Sequence, residues 1–438
     1  MRSYFATLAM LPNGLARDVR LEVRDGLFAA VTPDGSAQGA TRLRGIVLPG
    51  FANCHSHAFH RALRGRTHGN GGTFWTWRER MYAVAEQLDP DTYFALARAT
   101  YAEMVLAGVT SVGEFHYLHH APGGVRYRDP NAMAESLRAA SAEAGIRLTL
   151  LDTAYLAGGL TATGHQALDP TQQRFSDGDV DSWASRVRDL TPSPGMRIGA
   201  AIHSVRAVPR AELATVRAVA AKGPLHVHLS EQPAENEACL AHYGCTPTHL
   251  LASEGVLGPA TTAVHATRLT PADIDLLGSS RTTACFCPTT ERDLADGIGP
   301  ARSLLDAGAR LSLGSDQHAI IDLMEEARAL EMHERLASGQ RARLQPPDLL
   351  TALTAHGSIG WTDAGRLEIG ARADFVEVHT HSVRTAGIAP EQILFASTAA
   401  DVDTVMVDGV EVVTGGQHRL GDVGRMLGDA IDPLWAQP

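Results

Sequence analysis

The stretch TRLRGIVLPGFANCHSH (Thr41–His57) is where the character of the sequence changes. Before it the text is β-like and rich in turns. After it, short apolar runs alternate with helical stretches. IVLPGFANCH (46–55) is the first of eight such runs. The others are VTSVGEFHY (109–117), IRLTLLDTAY (146–155), MRIGAAIHSV (196–205), LHVHLSE (225–231), TAVHA (262–266), TACFCP (283–288) and RLSLGSD (310–316). Helical text such as DTYFALARATYAEMVLAG (91–108) and NAMAESLRAASAEAG (131–145) lies between them, the latter ending on a Gly suited to a C-cap. Eight β-rich runs separated by helices predict an α/β fold, a closed (β/α)8 TIM-like barrel rather than an open sheet.

Outward from the barrel, both chain ends read as strands. SYFATLAM (3–10) and DVRLEVRDGLFAAVTP (18–33) carry hairpin signals at Asn13-Gly14 and Asp25-Gly26, and DVDTVMVDGVEVVTGG (401–416) carries one at Asp408-Gly409. Residues 1–47 and 369–438 are therefore expected to form one small β-sandwich domain beside a barrel at 48–368. The segment Gly158–Asp181, with QALDPTQQRFSDGD inside it, reads as a long loop over the barrel mouth.

Composition narrows the function. The formal net charge of -11 and the lack of a basic stripe argue against a nucleic-acid partner, and an anionic substrate would need locally placed arginine. Five cysteines in 438 residues (Cys54, Cys239, Cys245, Cys285 and Cys287) suit a reducing compartment. Cys285 and Cys287 read as buried small residues at a strand end. The N-terminal MRSYFATLAMLPNGLARDVR has no signal-like apolar core, and no apolar run reaches the ~20 residues of a membrane helix. A cytoplasmic protein is expected. Lys222 is the single lysine, so any chemistry that needs one must use it.

In such barrels the active site forms at the C-terminal ends of the strands. Those ends carry His55 and His57, Glu114 and His116, His203 and Arg206, His228 and Glu231, His265, and Asp316 with His318. His55-Ser56-His57 places two imidazoles on one face of an extended strand. With His228 and Asp316 they make an N/O set suited to Zn2+, although the sequence does not separate zinc from Fe2+ or Mn2+. Such an ion lowers the pKa of bound water towards ~7. Glu231, three residues after His228, is placed to move protons between that water and a leaving group; its ordinary alternative is a helix cap. His265 is read as a hydrogen-bonding partner of the water or of the developing tetrahedral centre.

PGFANCHSHAFHRAL, HVHLSE, a lone His on the sixth strand and LGSDQH together resemble the amidohydrolase superfamily, over essentially the whole chain. Within it, FWTWRERMY (74–82), VGEFHYLHH (112–120), HSVR (203–206) and HVHLSEQ (226–232) resemble the formimidoylglutamate deiminase family of histidine degradation. The resemblance implies one zinc on His55, His57, His228 and Asp316, with Glu231 as proton shuttle and His265 assisting. It implies substrate contacts from Arg78, placed in the long loop after the first strand, and from Tyr117, His203 and Arg206. It also implies a small acidic amidine as substrate: N-formimidoyl-L-glutamate hydrolysed to N-formyl-L-glutamate and ammonia by metal-bound hydroxide, in a homodimer. One residue departs from the pattern: where the family carries Gln at a substrate-touching position after HSHAF, this chain has His60.

Arginine suits the carboxylates of such a substrate, because it holds them with paired, charge-assisted hydrogen bonds. Two other readings stand beside this one. An aromatic base such as guanine or cytosine could be deaminated by the same chemistry, with Trp75 and Trp77 stacking on it. A non-catalytic barrel would be expected to have lost metal ligands, and all four are present.

Overall fold

The structure is a computed structural model that describes residues 1–69, 72–220 and 223–436. Lys222 lies outside the described residues. Four strands, β1 (Arg2–Leu11), β2 (Gly14–Arg24), β3 (Leu27–Thr32) and β4 (Thr41–Pro49), precede the first barrel strand, β5 (Phe51–Ser56). The barrel continues through β6 (Val109–His116) and β7 (Arg147–Ala154). After a small hairpin of β8 (Gly159–Thr161) and β9 (Gly164–Gln166) come β10 (Met196–Ile202), β11 (Leu225–Leu229), β12 (Thr261–His265), β13 (Thr283–Phe286) and β14 (Arg310–Leu313).

All eight expected runs form these strands. Each pairs in parallel with the next. Every residue of β6 and β7 is buried, which is why parallel barrel strands read as unbroken apolar text rather than alternation. Closure runs through the site itself. Asp316 N–H donates to His55 O (3.0 Å) and His57 N–H donates to Asp316 O (3.2 Å).

The run IVLPGFANCH divides at Gly50. Its first half ends β4, which pairs antiparallel with β15 (Phe375–Val378), and its second half is β5. A Cβ at Gly50 would stand 2.4 Å from Thr110 Oγ1, so the chain crosses between sheets where there is no room for a side chain. With β16 (Val402–Val407), β17 (Val410–Thr414) and β18 (Gln417–His418), the strands of both chain ends make one eight-stranded sheet, in the order β18-β17-β16-β15-β4-β1-β2-β3. In β2, Val19, Leu21 and Val23 are buried and the intervening residues are not, the alternation of a one-sided strand. Asp25-Gly26 and Asp408-Gly409 all have φ between 48° and 78°, as a type I′ hairpin turn requires. Arg147, at the start of β7, ties this sheet to the barrel. It donates to Asp374 and to Asp408 Oδ1 (2.9 Å) from the end sheet and to Ser111 Oγ (2.8 Å) from β6.

Two expectations change. FWTWRERMY is not loop but the start of helix α1 (Phe74–Ala85), followed by α2 (Pro90–Leu106). Trp77, Met81 and Val84 fall at helical spacing and bury one face, although aromatic residues have only middling helix propensity. The segment Gly158–Asp181 is also more structured than a loop. It contains the β8–β9 hairpin and a 3-10 turn, Gln172–Phe175, whose Gln172 and Phe175 are buried.

Candidate active site and metal centre

Barrel closure brings His55, His57 and Asp316 together, and β11 adds His228. His55 Nε2 stands 3.1 Å from His228 Nε2 and 3.2 Å from Asp316 Oδ1; His57 Nε2 stands 3.3 Å from the same oxygen. Tetrahedral ligands at ~2.0–2.1 Å from an ion would be about 3.3 Å apart, so these spacings fit a shared cation. Protonation points the same way. Burial pushes the His57 imidazole down to about 3 and pushes His55 and His228 below their ordinary value, which leaves neutral rings with lone pairs to give. Burial alone would raise Asp316, but the surrounding histidines, His55 first, hold it well below the usual carboxylate range. The donor set therefore fits a divalent ion.

Glu231 stands beside this cluster with its carboxylate 3.8 Å from His265 Nε2 and 4.0 Å from an Arg206 nitrogen. Burial raises its pKa. The helix that follows (Pro233–Tyr243) takes Gln232 as its N-cap and has no side-chain cap, so Glu231 does not serve as one. His265 Nε2 also lies 3.9 Å from Asp316 Oδ2, and its Nδ1 is 3.5 Å from Glu291 Oε1. Burial pulls the His265 imidazolium down, but Glu231, Glu291 and Asp316 outweigh it and hold the pKa well above normal. The backbone is strained where these groups are presented. Ser230, His265, Ala266 and Asp316 all have φ between 43° and 70°, a conformation that costs non-glycine residues energy and collects at functional sites.

These groups open onto a cavity, and His60, Arg78, Tyr117, His203 and Arg206 all line it with His57, His228, Glu231, His265 and Asp316. Arg78 and Arg206 are the only fixed cations among its described lining residues. Arg78 stacks its guanidinium 4.6 Å over the Trp75 ring and 5.4 Å over Tyr82. Arg206 donates through Nε to Glu235 Oε2 (2.9 Å), and Glu235 is fully buried. The arginine is thus a partly buried group paired with a fully buried carboxylate rather than half of a surface salt bridge. His60 Nε2 and Tyr117 Oη are 2.9 Å apart, and burial keeps His60 neutral. His203 packs its ring 4.4 Å from Tyr155 and 5.2 Å from His228. Trp77 lines the cavity; Trp75 is 43% exposed and does not.

Several strand-end residues fall outside the cavity. Glu114 accepts from Ser56 Oγ (2.6 Å) and Ala58 N (2.6 Å), which fixes the backbone around His57. His318 stands 2.9 Å from Ser315 Oγ and 3.3 Å from Ser56 Oγ. His116 clusters with His119 and Asp152, but Arg186 already holds both oxygens of Asp152 at 2.9 Å. Cys285 and Cys287 are buried and unbridged, as expected, with Cys287 close enough to His265 and Asp316 to complete a ligand-type triad. The sequence reading missed Tyr82, Tyr155, Phe175, Glu235 and Glu291. Tyr155 directly follows the third strand and was visible there as a strand-end polar residue. The other four sit on a loop or on helices, where no periodicity marks them.

Comparison with known proteins is consistent along the whole chain. Residues 46–412 match the model of the amidohydrolase family, and residues 1–45 match that of the formimidoylglutamate deiminase HutF N-terminal domain. A formimidoylglutamate deiminase of Pseudomonas aeruginosa is 38% identical, covering 95% of this chain and 96% of its own. A 5-methylthioadenosine/S-adenosylhomocysteine deaminase of Pelotomaculum thermopropionicum is 28% identical, over 96% and 94%. A crystal structure of an amidohydrolase from Brucella melitensis superposes with a TM-score of 0.89 at 31% identity, over 100% of both chains.

Proposed function

The chain belongs to the amidohydrolase family, and from that premise we propose that it hydrolyses N-formimidoyl-L-glutamate to N-formyl-L-glutamate and ammonia with one zinc ion on His55, His57, His228 and Asp316. The observation that carries this reading is the cavity's charge. Its two fixed cations, Arg78 and Arg206, share one chamber with the ligand cluster and Glu231. That arrangement suits an amidine carrying carboxylates.

His55, His57, His228 and Asp316 would hold a divalent ion, which when bound would lower the pKa of a water towards ~7 and so make a nucleophile available near neutral pH. Glu231 takes a proton from the attacking water and gives it to the imino nitrogen as the C–O bond forms and the C=N bond opens. The same carboxylate then carries the remaining hydroxyl proton to that nitrogen. The C–N bond breaks, ammonia leaves and the formyl C=O forms. His265, held by Glu291, donates towards the developing oxygen. Arg206 and Arg78 hold the carboxylates, with Tyr117, His203 and His60 completing the wall. We read the enzyme as a cytoplasmic homodimer; the five free cysteines support the compartment, and sedimentation tests the assembly.

The aromatic lining, including Phe74, Trp77 and Tyr117, favours a second reading, deamination of an aromatic base. Ammonia release by zinc-loaded protein, measured on N-formimidoyl-L-glutamate beside guanine, cytosine and adenosine derivatives, separates the two. The acidic amidine is expected to be preferred by orders of magnitude in kcat/KM. A base as the better substrate overturns the proposal.

A further inference from the structure

Gln172, buried in the 3-10 turn over the cavity, has three oxygens within 3.1 Å of its amide nitrogen: Tyr82 Oη (3.0 Å), Tyr155 Oη (3.1 Å) and Gly158 O (3.1 Å). The amide orientation is fixed from its other side, because Asp169 N–H donates to Gln172 Oε1 (2.9 Å). A side-chain NH2 has no lone pair to offer. Both phenol oxygens are therefore acceptors towards Gln172, and their own protons must go elsewhere. Among the described residues neither hydroxyl donates to a protein carbonyl or carboxylate; the two hydroxyls interact with each other, which occupies one proton and leaves one for a ligand, and both tyrosines line the cavity. Burial raises both phenol pKa values, so each remains an O–H donor at neutral pH.

On the cavity side the charges beside them are cationic, while Asp169 lies behind, bonded to the Gln172 main-chain N–H (2.8 Å). Arg78 lies over the Tyr82 ring, and Arg206 belongs to the same wall. A free phenol O–H and the Arg78 guanidinium, with Arg206 behind them already paired to Glu235, form a donor-rich surface suited to an anion. We propose that Tyr82 and Tyr155, oriented by Gln172, form with Arg78 a second carboxylate subsite that makes the enzyme selective for dicarboxylates over monocarboxylates. This inference rests on the acidic-amidine reading and adds to it the residues that hold the other carboxylate. Gln172 acts through the tyrosines and is a positioning residue; the tyrosines touch the substrate.

The test uses zinc-loaded full-length protein and its Tyr82→Phe, Tyr155→Phe, double Phe and Gln172→Met variants. Turnover is measured on N-formimidoyl-L-glutamate and on the two monocarboxylates that lack either its α- or its γ-carboxylate. Binding of the product, N-formyl-L-glutamate, is measured by calorimetry. Each lost hydroxyl bond to a charged group should weaken dicarboxylate binding roughly ten- to a hundred-fold, read mainly in KM. One monocarboxylate should fall equally, and the other, which already lacks that carboxylate, should be unchanged. Gln172→Met should show the same selective pattern with a smaller drop, whereas a merely structural role would lower all three substrates together. The inference is overturned if the double Phe protein binds product as tightly as wild type, or if all three amidines fall alike. Wild type that binds product, loses it in the Phe variants and yet turns over no formimidoylglutamate overturns the functional reading alone. Wild type that binds no product overturns both.

Discussion

His57 Nε2 and Asp316 Oδ1 face each other at 3.3 Å with no proton to share. The other ring nitrogen, Nδ1, lies 2.9 Å from Phe115 O, a carbonyl that can only accept, so the neutral ring carries its proton there. Nε2 is left as a bare lone pair directed at a carboxylate oxygen. Two acceptors at this distance repel unless a cation lies between them. The same oxygen is also approached by His55.

Metal content follows from that geometry. The four candidate ligands converge on one point, and the fourth barrel strand, MRIGAAIHSV, offers no lysine or carboxylate to hold a second ion. About one equivalent of zinc per chain should restore full activity to chelated protein, and chelation should lower Tm by mass action on the folded state. Activity that appears only at two equivalents contradicts the four-ligand site.

Glu231, the proposed proton carrier, caps no helix. Glu231→Gln should keep its zinc and its Tm while kcat falls by roughly 10²–10⁴-fold, the usual scale of general acid–base catalysis. A variant with near-normal turnover would remove Glu231 from the mechanism.

The Arg147–Asp374 pair gives stability a pH dependence at its acid end. Burial alone would raise the Asp374 pKa, but Arg147 outweighs it and holds the folded value below 3.8. Because the folded value is the lower one, the contribution is fully present above the unfolded pKa of ~3.9 and is lost as pH falls through the folded value. Asp374→Asn leaves the buried guanidinium paired only with the partly exposed Asp408 and should cost on the order of 3 kcal/mol at pH 7, the lower end for breaking a buried pair. Denaturant melts of both proteins should converge as the pH drops below 4. A constant gap down to pH 2 contradicts the pair's role.

The barrel and the meeting of these strand-end polar residues were legible in the sequence for a physical reason. A parallel barrel strand must be apolar on both faces, and its functional residues sit where the apolar text ends, so His55, His57, His228, His265 and Asp316 mark themselves. Closure then dictates that they meet. The supporting residues carry no such mark. Glu235 and Glu291 sit on helices after the strands, and only the distances reveal that each is buried against Arg206 or His265. Arg78 was assigned to the right cavity but the wrong element, because an aromatic-rich segment gives a weak helical signal.

Arg206 carries the prediction most sensitive to the acidic substrate, and the structure adds a condition to it. The guanidinium both faces the cavity and neutralises Glu235, whose other oxygen accepts from Ser230 N–H (2.9 Å) beside Glu231. Arg206→Met therefore does two things. It removes a charge-assisted contact to the substrate, worth on the order of 2–4 kcal/mol in a closed site, which lowers kcat/KM on N-formimidoyl-L-glutamate by roughly two orders of magnitude. It also strands Glu235, which costs stability and loosens the Ser230 amide next to the proton shuttle. The double variant Arg206→Met/Glu235→Gln separates the two effects, since a neutral amide can still accept from Ser230 N–H without a buried charge. Its Tm should recover towards wild type while kcat/KM on the acidic amidine stays low. Formamidine, which has no carboxylate to lose, should be turned over by the double variant about as well as by wild type, and zinc content should be unchanged throughout. Equal losses on the acidic amidine and on formamidine in the double variant would mean that Arg206 serves only to hold Glu235, and the carboxylate would then have to be held by Arg78 and the tyrosines alone.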